Sequence, residues 1–247
     1  FSPWVFVICA ALMLPVMLSF AELASHFDGT GGPVRYAGSV FGRYAGFQAG
    51  WAFYIARLTA FSANAVLLVS AIGYFWPGAD DPGTRLALLF IVCACLTAIT
   101  VVGTRNAMSS LGVLTLLKFL PLVALVAYGL LRLPDAMRRS VLATPPADMN
   151  LGAVVLLVFY AFVGFESGLV PAGEARNPRR DMPRALFWAI GVVAILYFGL
   201  QAVSLAVLPD LASTRRPLVE VSGKLFGPVG ALLMMTGMAA SVGGNLA

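Results

Sequence analysis

Charge is what this sequence lacks most. Of its 247 residues only 11% are Asp, Glu, Lys or Arg, less than half of the about 25% that an ordinary soluble domain carries. A chain so poor in charge cannot cover a water-facing surface. With 60% hydrophobic residues and a mean hydropathy of +0.90, it reads as an integral membrane protein. Histidine is nearly missing: His26 stands alone, which excludes a histidine metal cluster, and neither a metal nor any other cofactor is expected. The three cysteines, Cys9, Cys93 and Cys95, all lie inside apolar runs. An odd number in such sequence supplies no disulfide framework. The net charge of +5 is no nucleic-acid footprint, because the basic residues fall in the gaps between apolar runs and form no basic face with interleaved aromatics. No soluble domain, low-complexity tract or coiled-coil repeat interrupts the pattern.

Charge is also absent from Phe1 to Ala21 and from Leu225 to Ala247. The first run is too long for the core of a signal peptide, and no basic segment precedes it. A spanning helix needs about 20 apolar residues and normally has polar flanks on both sides. The sequence therefore reads as an internal stretch of a longer membrane protein.

What is present is a series of seven predominantly apolar runs, at about 1–22, 46–75, 86–104, 109–131, 151–172, 184–208 and 226–247. Each is long enough to cross a bilayer as a helix. The expected fold class is all-α integral membrane. The connection Ser25 to Tyr44 contains Gly29-Thr30-Gly31-Gly32-Pro33, and its second half, Val34 to Tyr44, is expected to form a short interfacial helix. Trp76 to Arg85 holds Pro77, Asp80, Asp81 and Pro82, and cannot lie in hydrocarbon. Leu131 to Asn150, with Pro145-Pro146, and Pro209 to Lys224 read as longer polar loops. Basic residues do not orient the chain. Connections one, three and five carry Arg35, Arg43, Arg105, Arg176, Arg179, Arg180 and Arg184; connections two, four and six carry Arg85, Arg132, Arg138, Arg139, Arg215, Arg216 and Lys224. Seven against seven leaves the positive-inside rule undecided.

Two basic residues remain inside spans, Arg57 and Lys118, and one acid, Glu166, sits near the middle of an apolar run. An ionisable group within the membrane costs about 3 kcal/mol or more and usually marks function. The competing readings are a structural ion pair and snorkelling to the interface. Lys118 lies roughly nine residues from the nearer end of its span, some 13 Å at a helical rise of about 1.5 Å per residue, which is a poor position for snorkelling. Arg57 shares a helix face with Phe61 and Asn64 at i+4 and i+7, a polar and aromatic stripe in an otherwise apolar span. Plain packing against neighbouring helices is the other account of that stripe.

The fifth run carries the most information. Phe162-Val163-Gly164-Phe165-Glu166-Ser167-Gly168, followed by Pro171, sets helix-weakening residues on both sides of a carboxyl group. Broken helices are tolerated in a membrane where backbone groups are buried in protein or line a cavity, and transporters use such breaks to present free N–H and C=O groups to a substrate or ion. Glycine-mediated helix packing alone is the simpler account of the glycines. The next connection, Gly173-Glu174-Ala175-Arg176-Asn177-Pro178-Arg179-Arg180-Asp181-Met182-Pro183-Arg184, reads as an extended turn, with Asp181 capping a helix that begins near Pro183.

Three stretches resemble the amino acid–polyamine–organocation (APC) superfamily of permeases. Ala21-Glu22-Leu23-Ala24-Ser25 with Thr30-Gly31-Gly32-Pro33 is similar to the end of that family's second span and the loop after it. Gly46-Phe47-Gln48-Ala49-Gly50-Trp51 is similar to the start of its third. Phe162 to Glu166, with Gly173-Glu174, Asn177-Pro178 and Pro183, resembles its sixth span and following loop. The resemblance covers essentially the whole chain and places it as the family's second to eighth spans. It implies part of a fold of two inverted five-helix repeats, in one transporter domain over 1–247, with 1–131 the rest of the first repeat and 151–247 the start of the second. The unwound first helix of that fold falls outside this sequence.

The resemblance further implies a multi-pass protein of the plasma membrane that is no enzyme. It would be a secondary active amino acid permease working by alternating access and coupled to protons by symport or exchange. A polyamine or other organocation carrier of the same fold is the alternative. The connections Ser25–Tyr44 and Glu174–Pro183 would face the cytoplasm. Tyr160, Ala161, Phe162, Val163, Gly164 and Phe165 would line the substrate pocket with Arg57, Phe61 and Asn64, while Lys118 and Glu166 would couple protons. Arg57 departs from relatives with a small residue there, and a fixed guanidinium argues against a cationic substrate. The expected partners are a small amino acid, protons and the bilayer. A seven-helix receptor or light sensor fits less well, since no lysine in the last span could carry a retinal, and an intramembrane enzyme lacks a Ser/His, paired Asp or His/Glu set within the spans.

Overall fold

A computed structural model describes residues 2–27, 30–102, 107–142, 144, 150–170, 177–208 and 210–244. Gly29, Arg105, Pro145-Pro146 and the stretch from Pro171 through Glu174 to Arg176 lie outside the described residues. Nine α-helices run in chain order through the described residues: α1 (Ser2–His26), α2 (Gly32–Phe41), α3 (Arg43–Ile72), α4 (Pro82–Val102), α5 (Ala107–Arg132), α6 (Pro134–Leu142), α7 (Leu151–Tyr160), α8 (Pro178–Val207) and α9 (Pro217–Gly244). Among the described residues there is no strand. Among the described residues six segments are long and apolar enough to cross a membrane: Ser2–His26, Arg43–Ile72, Thr115–Arg132, Leu151–Leu169, Arg180–Val207 and Pro217–Val242. The span expected at 86–104 falls in α4, whose apolar stretch Pro82–Cys95 is shorter. The all-α membrane architecture is therefore as the sequence indicates.

The boundaries differ in four places. The interfacial helix starts at Gly32 and ends at Phe41, because Gly42 turns the chain with φ 89°. Helix α8 begins at Pro178, five residues before the expected start, and the N–H groups of Arg180 and Asp181 both donate to the Asn177 carbonyl, at 3.1 and 2.9 Å. Proline at the first helical position has no N–H to leave unsatisfied, so Asp181 lies in the first turn and is not the cap. Helix α9 begins at Pro217, inside the expected loop Pro209 to Lys224, and kinks where Gly227 (φ 68°) precedes Pro228. Glu220 and Lys224 read as loop residues because they are charged, yet they occupy the stretch before the kink. The loop 131–150 likewise contains α6.

The chain forms two compact units, 1–56 with 139–201 and 57–138 with 202–247. In the first, α1 buries a stripe at helical spacing, Val5, Cys9, Met13, Met17, Ala21 and Ala24, into a core shared with Tyr36, Phe162, Leu169, Leu186 and Ile190. The period of three to four residues is that of one helix face. The Trp4 indole donates to the Val141 carbonyl at 3.2 Å and packs edge-on to Phe198 at 5.3 Å. Helix α2 docks on the same unit. Gly31 N–H donates to Val170 C=O at 3.0 Å, and a Cβ at Gly32 would come within 3.3 Å of the Leu169 and Val170 backbone. Tyr36 is buried there against Phe27 at 4.8 Å. Burial pushes its phenol pKa up, partly offset by the neighbouring Arg35 charge.

In the second unit α5 packs along α9, with Leu125, Val203, Val219, Val221, Met234 and Val242 fully or nearly fully buried. Tyr128 meets Phe226 edge-on at 4.7 Å. Both units leave large apolar side chains exposed, Leu157 at 77% and Leu131 at 79% among them. Such surface is unfavourable in water and is the expected face toward lipid.

Candidate functional site

The first unit contains the break that the sequence indicates. Helix α7 is set by Asn150, whose side-chain oxygen accepts from Ala153 N–H at 3.1 Å, an N-cap arrangement. The helix ends at Tyr160. After it the N–H groups of Ala161, Phe162 and Val163 donate to carbonyls three residues back, at 3.0–3.1 Å, so the winding tightens. Gly164 then takes φ 125°, ψ −16°, a conformation that only glycine adopts without strain. A 3₁₀ turn over Phe165–Leu169 follows.

Breaking a helix frees backbone groups, which must find partners in a membrane. Side chains satisfy two of them. The Glu166 carboxylate accepts from Gly164 N–H through Oε2 at 2.8 Å, and the Tyr197 hydroxyl donates to the Ala161 carbonyl at 3.3 Å. Three aromatic contacts hold the segment: Phe162 with Tyr197 at 5.5 Å, Phe6 with Tyr197 at 5.6 Å, and Phe165 with Phe20 at 5.5 Å. Phe162 is buried, whereas Tyr160 and Val163 are exposed beside Leu156 and Leu157 along a shallow groove. Ser167 has a buried Oγ with no hydrogen-bond partner among the described residues.

Arg57, Phe61, Asn64 and Lys118 belong to the second unit. Arg57, Phe61 and Asn64 are half-buried while Leu58, Ser62 and Ala63 are exposed, so the three do share the packed side of α3. Asn64 donates through Nδ2 to the Ala60 carbonyl at 3.0 Å and lines a cleft of about 300 Å³ with Arg215, Arg216, Leu218, Met238 and Ser241. Lys118 is half-buried, with Nζ 5.9 Å from the centre of the Phe119 ring. It precedes Pro121, which cannot donate to the Leu117 carbonyl and so loosens α5 at that turn. There α9 presents Gly237, where a Cβ would stand 3.3 Å from Pro121 Cγ, 3.4 Å from the Leu117 oxygen and 3.6 Å from Lys118 Cα.

Two partners of the break are invisible to sequence reasoning. Tyr197 lies 36 positions from the carbonyl it satisfies, and nothing in its own neighbourhood signals that pairing. Gly31 bonds Val170 across a still longer separation. Ser167 does have a signal, a polar residue next to Glu166 in an apolar run. Among the described residues no group of three or more His, Cys, Asp or Glu could hold a metal ion.

The chain spans about half the length of the curated relatives it matches. It is 25% identical to the serine/threonine exchanger SteT of Bacillus subtilis, over 93% of this chain and 52% of that protein. It is 27% identical to the L-methionine/branched-chain amino acid exporter YjeH of Escherichia coli, over 94% of this chain and 54% of that protein. A cadaverine/lysine antiporter of Escherichia coli is 26% identical, over 91% of this chain and 51% of that protein. The family profile described as amino acid permease matches residues 2–247, the whole of the described fold, and the chain belongs to the amino acid permease family.

Proposed function

We propose that this chain carries part of the transport path of a secondary active amino acid permease that works by alternating access in the plasma membrane. The observation that carries the reading is the helix break at Tyr160–Gly164, whose freed backbone groups are held by an acid and a phenol. With those two groups held, a break of this kind leaves neighbouring N–H and C=O groups for the carboxylate and ammonium of an amino acid. On this reading Tyr160 to Phe165 are the substrate contacts of the first unit, and Arg57, Phe61 and Asn64 are those of the second. Residues 1–131 are the remainder of one repeat and 151–247 the opening of the other. The family consists of transporters, and no catalytic step is assigned to this chain.

Protons are the proposed coupling ion, with Glu166 and Lys118 as carriers. Ionised Glu166 accepts a charge-assisted hydrogen bond from Gly164 N–H. Its protonated form is a weaker acceptor, so taking up a proton would loosen the turn that shapes the break. Lys118 stands where α5 is loosened by Pro121 and closely approached by α9, so a change in its charge would bear on that helix pair. The test is uptake by the full-length protein in proteoliposomes with and without an imposed pH gradient. Glu166→Gln and Lys118→Ala are expected to leave exchange at zero gradient measurable and to remove its acceleration by the gradient. Uptake that stays proton-driven in both variants overturns the coupling assignment.

The polyamine reading has one relative in its favour, the cadaverine/lysine antiporter. Arg57 on the packed face of α3 weighs against it, because a fixed guanidinium repels a cationic substrate. Competition of labelled amino acid uptake by neutral amino acids, but not by diamines, is the expected result.

A further inference from the structure

Helix α8 opens with a charge arrangement that costs it stability. Arg179, Arg180 and Arg184 fall in its first two turns, where the positive end of the helix dipole disfavours cations. Arg180 and Arg184 are exposed and stand one turn apart, at the i, i+4 spacing where like charges repel. Among the described residues neither makes an ion pair. The one acid of each neighbouring helix does not cancel this charge. Asp181 directly follows Arg180 in α8 and so does not share its face, and Glu22 of α1 stands 3.9 Å from His26 of its own helix.

One turn further along the same face the surface changes from basic to apolar. Phe187 follows Arg180 at i+7 and Arg184 at i+3, with Trp188 beside it. Phe187 is one wall of a groove between α8 and α1, and Leu18 is the other. Both walls are exposed, Leu18 at 55% and Phe187 at 60%. Met17, Ala21, Leu186 and Ile190 form its buried floor, and every described residue that lines it is apolar. Residues 14–21 and 180–190 belong to the first unit.

An uncompensated arginine pair at the end of an apolar groove fits a molecule with an anionic head and a hydrocarbon chain. Guanidinium groups bind phosphate through paired N–H···O bonds, and tryptophan is a side chain that collects at the headgroup level of a bilayer. We infer that this face of the first unit is a docking site for one anionic phospholipid. Arg180 and Arg184 hold its phosphate, and its acyl chain lies in the groove between Leu18 and Phe187. The phosphate removes the repulsion between the arginines and is itself favoured by the α8 dipole, so lipid binding stabilises the start of the helix. The choline of a zwitterionic head would meet like charge there, which selects the anionic lipid. A free phosphate offers the head without the chain, and the groove favours the lipid over it. The site lies outside the helix break and does not rest on the permease reading.

Trp188, exposed at 71%, reports on the site. The full-length protein is reconstituted in phosphatidylcholine vesicles carrying a small fraction of lipid brominated on its acyl chains, either phosphatidylglycerol or phosphatidylcholine. Subtracting the fluorescence of Trp188→Phe gives the quenching of Trp188 alone. Brominated phosphatidylglycerol should quench at a fraction roughly twenty-five-fold lower than brominated phosphatidylcholine, about fivefold for each arginine near a membrane surface. The preference should shrink at high salt. Arg180→Gln and Arg184→Gln should each remove about fivefold of it. Phe187→Ala, at an exposed position, should weaken quenching by both lipids and leave the preference intact. Arg35→Gln, an exposed arginine of α2, should change nothing. Equal quenching by the two lipids, a preference undiminished when both Arg180 and Arg184 are replaced by Gln, or undiminished quenching in Phe187→Ala overturns the site. An equal loss in Arg35→Gln would show diffuse surface charge only, and full displacement by inorganic phosphate at constant ionic strength would show an anion site without a chain; either overturns it as well. Uptake plays no part in the readout, so a failure of the permease reading would leave the lipid site standing.

Discussion

Replacing Gly164 by alanine isolates the cost of the helix break. A Cβ at Gly164 would meet no atom within 4 Å, so neither clash nor repacking contributes. What remains is the backbone: φ 125°, ψ −16° is open to glycine and strained for an L-residue by about 1–3 kcal/mol. The variant can escape the strain by rotating φ, but that turns its N–H away from Glu166 Oε2, now 2.8 Å distant. Losing a hydrogen bond to a charged acceptor costs about 1.5–3 kcal/mol. The two routes are alternatives, so the variant takes the cheaper, and the expected loss is about 1–3 kcal/mol. At no more than about 2–4 °C per kcal/mol, the scale for about 150–250 residues, Tm of the longer full-length protein should fall measurably, by up to about 12 °C. Gly168→Ala is the control. It also meets nothing within 4 Å, and Gly168 has no positive φ, so its Tm should stay level or rise slightly. Thermal unfolding of the purified full-length protein, with uptake measured in parallel, reads both. Equal Tm values for the two variants would refute the claim that Gly164 holds the break by its backbone conformation.

Three further outcomes are expected. Gly237→Ala brings a methyl to 3.3 Å from Pro121 Cγ and 3.4 Å from the Leu117 oxygen and should cost about 1 kcal/mol, whereas Gly237→Leu should separate α5 from α9 and lower Tm by far more; a melting series reads the contrast. Tyr197→Phe keeps the ring contacts with Phe6 and Phe162 and removes only the donor to Ala161, so it should cost about 0.5–1.5 kcal/mol, measured as a Tm shift, with a non-additive effect when combined with Glu166→Gln. Tyr36 has a folded pKa raised by burial, so its contribution to stability is full below the unfolded value of about 10 and is lost as pH rises through the folded pKa. Tyr36→Phe should remove part of the stability loss seen above about pH 10, in melts recorded from pH 8 to 11.

The break is readable from sequence because its cause is local: glycine at 164 and 168 around a carboxyl group leaves the helix weak wherever the chain goes next. The stripe Arg57, Phe61, Asn64 is readable for the same reason, since positions i, i+4 and i+7 share a face in any α-helix. The start of α9 is not readable. Glu220 and Lys224 carry the signature of a loop, but Glu220 N–H bonds Arg216 C=O at 3.0 Å and Val219 and Val221 are buried, so packing overrides the charges. The start of α8 is misread because two prolines compete for the first helical position, and Asn177 supplies the acceptor to the earlier one.

From the sequence alone follow the membrane as solvent, the apolar helices and the place where one of them breaks. Hydrocarbon demands about 20 apolar residues per span and a partner for every backbone group, and both demands are written in runs and single residues. Only the tertiary structure decides which groups meet that second demand. Tyr197 reaches the Ala161 carbonyl, and Gly31 reaches that of Val170. Each pairing joins residues distant in the chain, and helix packing, which no local pattern encodes, brings them within hydrogen-bonding distance.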